Sequence, residues 1–260
     1  MTSSPPSVAE LRAVTQPDSL FERNSGEHWA GRLYMRRLSP HLTRWILVTP
    51  ISANAVTWLM VLAGLLAAVS LSLGGVAGAV GAFALIQVQL LLDCCDGEVA
   101  RWRGTSSPVG IYLDRIAHHL TEVALPIGLG VRADGGWDAI GGWTTIGLVV
   151  AVLVLLIKAE TNLMHVARAE AGRPLVADRA AVAAPRAGGL RRIRHVLRYV
   201  PFFRAFVAVE ATILALGAAI VDQAAGDLSG SRALLAVLVV VGAITVVGHL
   251  VAILASDRLR

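Results

Sequence analysis

The chain is nearly devoid of lysine. Lys158 is the one lysine, and arginine supplies the rest of the 23 Lys and Arg residues. Aromatic residues make up only 5% of the chain, and no stretch interleaves them with basic residues in the manner of a nucleic-acid surface. There are two cysteines, Cys94 and Cys95, adjacent in sequence. Neighbouring cysteines rarely bridge each other, so free thiols in a reducing compartment are expected. No period of 20 to 50 residues recurs, which argues against a solenoid. Residues 1–17 are rich in Ser, Pro and Thr and lack a long apolar run. They read as a disordered tail and not as a signal peptide.

What the chain has in abundance is apolar length. Of its 260 residues 55% are hydrophobic and the mean hydropathy is +0.66, too apolar for an ordinary soluble domain. Six spans are expected, at about 53–73, 76–100, 109–131, 143–166, 200–221 and 232–255. Residues 18–47 mix Arg23, Arg32, Arg36, Arg37 and Arg44 with Phe21, Trp29, Leu33, Tyr34, Leu38, Leu42, Trp45 and Leu47 in an imperfect helical repeat. This favours an amphipathic helix lying in the membrane interface over a basic cytosolic linker. The expected fold class is therefore an all-α integral membrane protein, with six transmembrane helices in a domain over residues 51–256 preceded by an interfacial helix.

Charge alternates between the links. The N-terminal region, the 101–108 link, the 167–199 link and the C-terminus carry most of the arginines. The 73–75, 132–142 and 222–231 links carry Arg132 alone, against Asp134, Asp138, Asp222 and Asp227. The positive-inside rule then places both termini on the cytosolic side of a cell membrane. Pro174, Pro185, Gly188 and Gly189 break the 167–199 link. Most of its arginines serve orientation or lipid contact, while Arg168, Arg198 or Arg204 near span ends are candidates to hold a phosphate of an acceptor. Lys158, near the end of the fourth span, is either functional or paired with a neighbouring acid.

The acids collect in one place. Asp93 and Asp96 are three apart on one predicted helix, and Asp114 and His118 are four apart on the next, so each pair shares a helix face. A short polar link, 102–107, makes the two helices antiparallel neighbours. The four groups then converge at about one depth of a membrane-like segment. Three acids there, with only Arg101 and Arg115 beside them, repel in low dielectric. A divalent cation relieves that repulsion, and carboxylate oxygens suit magnesium or manganese. Acids solvated at the membrane edge are the bland alternative. An EF-hand is excluded, because Gly97 comes one position early and the closing bidentate Glu is absent. Cys94 and Cys95 fall on other faces than Asp93 and Asp96, which favours packing over ligation.

The pattern Asp93-x-x-Asp96-Gly97-x-x-Ala100-Arg101, then eight residues, then Gly110-x-x-x-Asp114, resembles the signature of the CDP-alcohol phosphotransferases. That family's pattern ends with a fourth Asp, where this chain has His118. Asn54 and Thr57 look like the Pro-Asn-x-x-Thr entry of the family's first helix, with Ala53 in place of proline.

The resemblance implies attack by an alcohol on the β-phosphorus of a CDP-linked donor, with release of CMP. It implies two metal ions held by Asp93, Asp96, Asp114 and His118, and gives His118 the place of the base that takes the alcohol proton. Gly97, Gly110 and Ala100 would leave room for the nucleotide, and Arg101 would contact phosphate or pair with Glu98. The donor would be CDP-diacylglycerol or a soluble CDP-alcohol. The acceptor would be a polyol phosphate, another polyol or a lipid alcohol. A homodimer is expected from the resemblance and from the small residues on the spans. Two other classes compete: a catalytically degenerate member acting as a scaffold, and a cation transporter. Few polar groups follow His118 along its helix to make an ion path.

Overall fold

The structure, a computed structural model, describes residues 5–17, 28–174, 202–256 and 259. Its regular elements are helical: α1 (Val8–Thr15), a π-helical turn (Gly31–Met35) running into α2 (Arg36–Ile46), α3 (Ala53–Ser72), α4 (Gly75–Arg103), α5 (Pro108–Asp134), α6 (Gly142–Glu170), α7 (Ala208–Ala225) and α8 (Ser229–Ala255). Short 3-10 turns at Trp137–Ala139 and Phe202–Phe206 precede α6 and α7. Contacts divide the chain into two compact units, Met1–Leu66 with Ala84–Thr121, and Ala67–Phe83 with Glu122–Arg260.

Five helices, α3, α4, α6, α7 and α8, are long and apolar enough to cross a membrane. The expected third span is α5, which has the length at 27 residues but carries Asp114, Arg115, Glu122, Arg132 and Asp134. The fifth expected span begins later than expected, at Ala208, because Phe202–Phe206 forms a 3-10 turn. Its first expected residues, 200 and 201, lie outside the described residues.

Helix ends follow local chemistry. Ser52 caps α3, its hydroxyl accepting from the Ala55 amide at 3.2 Å. Ser107 caps α5 in the same way through the Gly110 amide, with Pro108 at the first helical position. Helix α4 stops at Gly104, whose φ of +65° suits a residue without Cβ. There the Thr105 amide donates to the Ala100 carbonyl and the Gly104 amide to the Arg101 carbonyl, a Schellman end. These two devices turn the chain within 104–107 and bring α5 back beside α4.

The N-terminal tail differs from expectation. Residues 8–15 form a helix with a capping box, in which Ser7 and Glu10 satisfy each other's backbone amides. Leu11 and Thr15 are fully buried. In the expected interfacial segment, residues 18–27, with Phe21 and Arg23, lie outside the described residues, and residues 29–46 are helical. Its buried face combines Ala30, Met35 and Pro40 with the polar Ser39 and Thr43, while Leu33, Leu38 and Trp45 are exposed. The imperfect repeat has a cause: the π turn adds a residue and rotates the face.

In the second unit, glycines let helices meet. A Cβ on Gly147 would run into the Pro126 carbonyl of α5 and lie 3.1 Å from the Gly130 Cα. Gly147→Val is expected to destabilise the protein by about 1–3 kcal/mol, read as a lower thermal midpoint in detergent. The lone arginine of the acidic links is buried. Arg132 donates to Ser231 Oγ (2.9 Å) and the Gly75 carbonyl (2.7 Å), with its guanidinium 3.2 Å from Asp222 Oδ2. It is therefore matched internally by Asp222, one of the acids of those links.

Asp134 anchors the start of α6. Its carboxylate accepts from the Gly141, Trp143 and Thr144 amides and from Thr144 Oγ1 at 2.6–3.1 Å. Desolvation raises its pKa, but the hydrogen bonds from Thr144, Gly141 and Trp143 outweigh that and hold it below the usual carboxylate value. Its stabilising contribution is thus present above an unfolded pKa of about 3.9 and lost as pH falls through the folded value. Asp134→Ala is expected to cost about 1 kcal/mol, with the deficit shrinking in melts taken at progressively lower pH.

Candidate active site

The acids of the sequence signature meet an imidazole. His118 Nε2 lies 3.2 Å from Asp93 Oδ1 and 3.5 Å from Asp114 Oδ1. The second pair is one helical turn apart on α5. The first spans α4 and α5, so the turn at 104–107 brings the two predicted faces together. One potential ligand atom from each of Asp93, Asp114 and His118 falls within 4.8 Å of the others, and all three residues are half-buried.

Two carboxylates and an imidazole make a donor set that suits a divalent cation. Among the described residues this is the one group of three or more acidic, His or Cys side chains close enough to hold a metal. Asp96 is not part of that close group. It is buried, and its Oδ2 accepts from Thr57 Oγ1 at 2.7 Å. Thr57 Oγ1 also lies 3.2 Å from the Ala53 carbonyl of its own helix, and its bond to Asp96 pins the first turns of α3 to the signature helix.

The remaining candidates fall as follows. Gly110 faces Asn54: a Cβ there would sit 3.5 Å from Asn54 Oδ1. Gly97 leaves room for Arg101, whose guanidinium nitrogens a Cβ at 97 would meet at 3.0–3.1 Å. Ala100 is half-buried one turn further along α4. Arg101 Nε donates to the Thr15 carbonyl at 2.7 Å. Lys158 Nζ lies 2.6 Å from Glu122 Oε2, the ion pair that the sequence left open. Arg168 Nε donates to the Pro174 carbonyl at 3.0 Å. Arg198 lies outside the described residues. Cys94 and Cys95 are free and buried, as packing residues are.

Sequence reasoning missed the surroundings of Glu98. This carboxylate is fully buried and accepts from Gln16 Nε2, Ser39 Oγ and Thr43 Oγ1. A signal was present. Residue 98 lies about 200° round the helix from Asp96, and Ser39 and Thr43 are one turn apart, so a polar face awaited a polar partner.

A family model described as CDP-alcohol phosphatidyltransferase matches residues 50–255. A relative from Rubrobacter xylanophilus, named as a bifunctional IPC transferase and DIPP synthase, is 42% identical over 108 residues. The match covers 37% of this chain and 23% of that relative, so the chain spans less than a quarter of the relative's length. With a match over most of its length and the signature acids on facing helices, this chain belongs to the CDP-alcohol phosphatidyltransferase family.

Proposed function

We propose that the protein is a membrane-embedded transferase that moves a substituted phosphate from a CDP-linked alcohol to an alcohol acceptor and releases CMP. The observation that carries this reading is the convergence of Asp93 and Asp114, from two helices, on His118 Nε2. In the reaction the acceptor oxygen bonds to the β-phosphorus, the bond from that phosphorus to the bridging oxygen breaks, and CMP leaves with the oxygen. The acceptor proton passes to a base.

Asp93, Asp96, Asp114 and His118 are the residues to hold magnesium or manganese, in a site for two ions. Bound there, the ions would neutralise the pyrophosphate and stabilise charge on the attacking and leaving oxygens. His118 takes one of two roles at a time. A nitrogen that ligates a cation has no lone pair left for a proton. As base, Nε2 accepts the acceptor's proton, and Asp93 and Asp114 then accept hydrogen bonds from the imidazolium that forms. Asn54 and Thr57 line the entry of α3 beside Gly110 and Asp96. Lys158 and Arg198 are candidates for an acceptor phosphate, Lys158 through exchange of its Glu122 partner.

The donor is CDP-diacylglycerol or a soluble CDP-alcohol, and the acceptor is a polyol, a polyol phosphate or a lipid alcohol, in the synthesis of a phospholipid or related phosphodiester lipid. Similarity to part of a protein named for a transferase and a synthase activity supports a transfer reaction. We read residues 109–131 of α5 as a sixth span, with Asp114 and His118 serving the site. The arginine distribution favours a cytosolic site and cytosolic termini in a cell membrane. The exposed Leu33, Leu38 and Trp45 favour an interfacial place for the helix of residues 29–46. The small residues on the spans favour a homodimer. The test is a panel of CDP-alcohols and acceptors with purified protein. CMP should form with one pairing well above the others, and a panel without CMP would overturn the reading.

A further inference from the structure

The signature helix is fastened from behind by the N-terminal helices. Glu98 leaves α4 on the side away from Asp96, and its two oxygens receive three side-chain hydrogen bonds. Gln16, just after α1, donates at 2.8 Å, Ser39 at 2.5 Å and Thr43 at 2.6 Å. Ser39 and Thr43 are themselves fully buried, so no water competes for these bonds. A carboxylate this deep is costly unless its lone pairs are satisfied, and the three donors provide for that.

Other bonds complete the fastening. Pro40 has no N–H to give the Arg36 carbonyl, and that carbonyl instead accepts from Gln16 Nε2 at 2.9 Å. Gln16 thus bridges α2 and Glu98 with one amide group. Arg12 donates to the next carbonyl, Arg37, at 3.1 Å. Arg101, one turn past Gly97, holds the Thr15 carbonyl at the end of α1. Arg103 holds the Ile51 and Thr49 carbonyls of the turn before α3. The bonds of Glu98, Arg101 and Arg103 act on the 98–103 stretch of α4, just past Asp96, while the Gln16–Arg36 and Arg12–Arg37 bonds hold α1 to α2.

We propose that Glu98 is a positioning residue, which locks α1 and α2 against α4 and so sets the rotation of the helix that carries Asp93 and Asp96. The N-terminal helices are on this account part of the site's framework, beyond any role as a membrane anchor. The proposal rests on the metal-binding, CMP-releasing reading of the site. Misplacing a reacting group by about 1 Å costs roughly 10²-fold, so a loosened α4 is felt at the acids without any contact from Glu98.

The test is manganese affinity, measured by electron paramagnetic resonance on full-length protein in detergent, beside kcat for CMP release. All variants are compared at a temperature where circular dichroism shows each one folded. Glu98→Ala is expected to weaken manganese binding and lower kcat, each by roughly 10–100-fold. Glu98→Gln, which keeps an oxygen for Gln16 and Ser39 and can donate to Thr43 Oγ1, should recover most of both. Gln16→Ala should give a smaller loss that is less than additive with Glu98→Ala, since the two share one bond while Gln16 keeps a second to the Arg36 carbonyl. Should folded Glu98→Ala bind manganese as the parent does, the proposal is overturned. Equal losses in Glu98→Gln and Glu98→Ala also overturn it, since they assign the effect to charge alone. A parent that binds no manganese overturns it together with the metal reading. A parent that binds manganese but releases no CMP overturns only the reaction, and the affinities still decide the role of Glu98.

Discussion

Asp93→Asn, Asp96→Asn and Asp114→Asn are each expected to abolish cation-dependent release of CMP. Asparagine keeps the size and one oxygen of the side chain but removes the charge that attracts a divalent cation. Changes one shell further out in metal sites cost 10–100-fold, so loss of a direct ligand should cost at least about 100-fold. The three variants should differ in a way that follows the geometry. Asp93 and Asp114 both face His118 Nε2, so their loss should also change the environment of the imidazole. Asp96 instead accepts from Thr57, so Asp96→Asn should additionally loosen the start of α3. Thr57→Val should reproduce only that second part. Cation titration of each variant checks the assignment. Full CMP release by any of the three with metal stripped would end the two-ion proposal.

The second large effect concerns His118. Replacing the family's fourth Asp by imidazole removes one negative charge and supplies a softer ligand, which favours manganese or zinc over magnesium relative to an all-oxygen site. His118→Ala should lower the rate by on the order of 10²–10⁴, the usual worth of a general base. With a neutral imidazole as base, the parent's rate falls as pH drops through its pKa, and that acid limb should vanish in His118→Ala. If ligation is the role instead, the loss appears as weaker cation affinity and is relieved by raising the cation concentration. His118→Asp restores the family pattern and should recover activity with a shift toward magnesium. If His118→Ala has the parent's rate, cation preference and pH profile, His118 is a packing residue and the base lies elsewhere.

The helical architecture was legible because long apolar runs leave few alternatives, and because Ser52, Ser107-Pro108 and Gly104 mark helix ends by chemistry that acts over a few residues. The convergence of Asp93, Asp114 and His118 was legible for the same reason: spacing sets the face and a short link sets the neighbour. Helix α1 was missed although Ser7-Val8-Ala9-Glu10 is a capping-box sequence. The Ser- and Pro-rich composition around it outweighed a local signal that matters only once Leu11 and Thr15 have something to pack against. The Arg132–Asp222 pair lies 90 residues apart in sequence, and Gln16 and Glu98 are 82 apart. Pairings of that kind depend on which helices become neighbours, which periodicity does not encode. The partner of Lys158 was unreadable on the same ground, though the two possibilities for it were visible.

The most direct measurement is CMP release by the purified protein, first in EDTA and then with magnesium or manganese restored, using the best donor and acceptor from the panel. The expected result is no CMP in EDTA, and CMP equal to the phosphodiester formed once the cation is returned. CMP release that is indifferent to EDTA, or no CMP from any donor with either cation, would contradict a transferase built on Asp93, Asp96, Asp114 and His118.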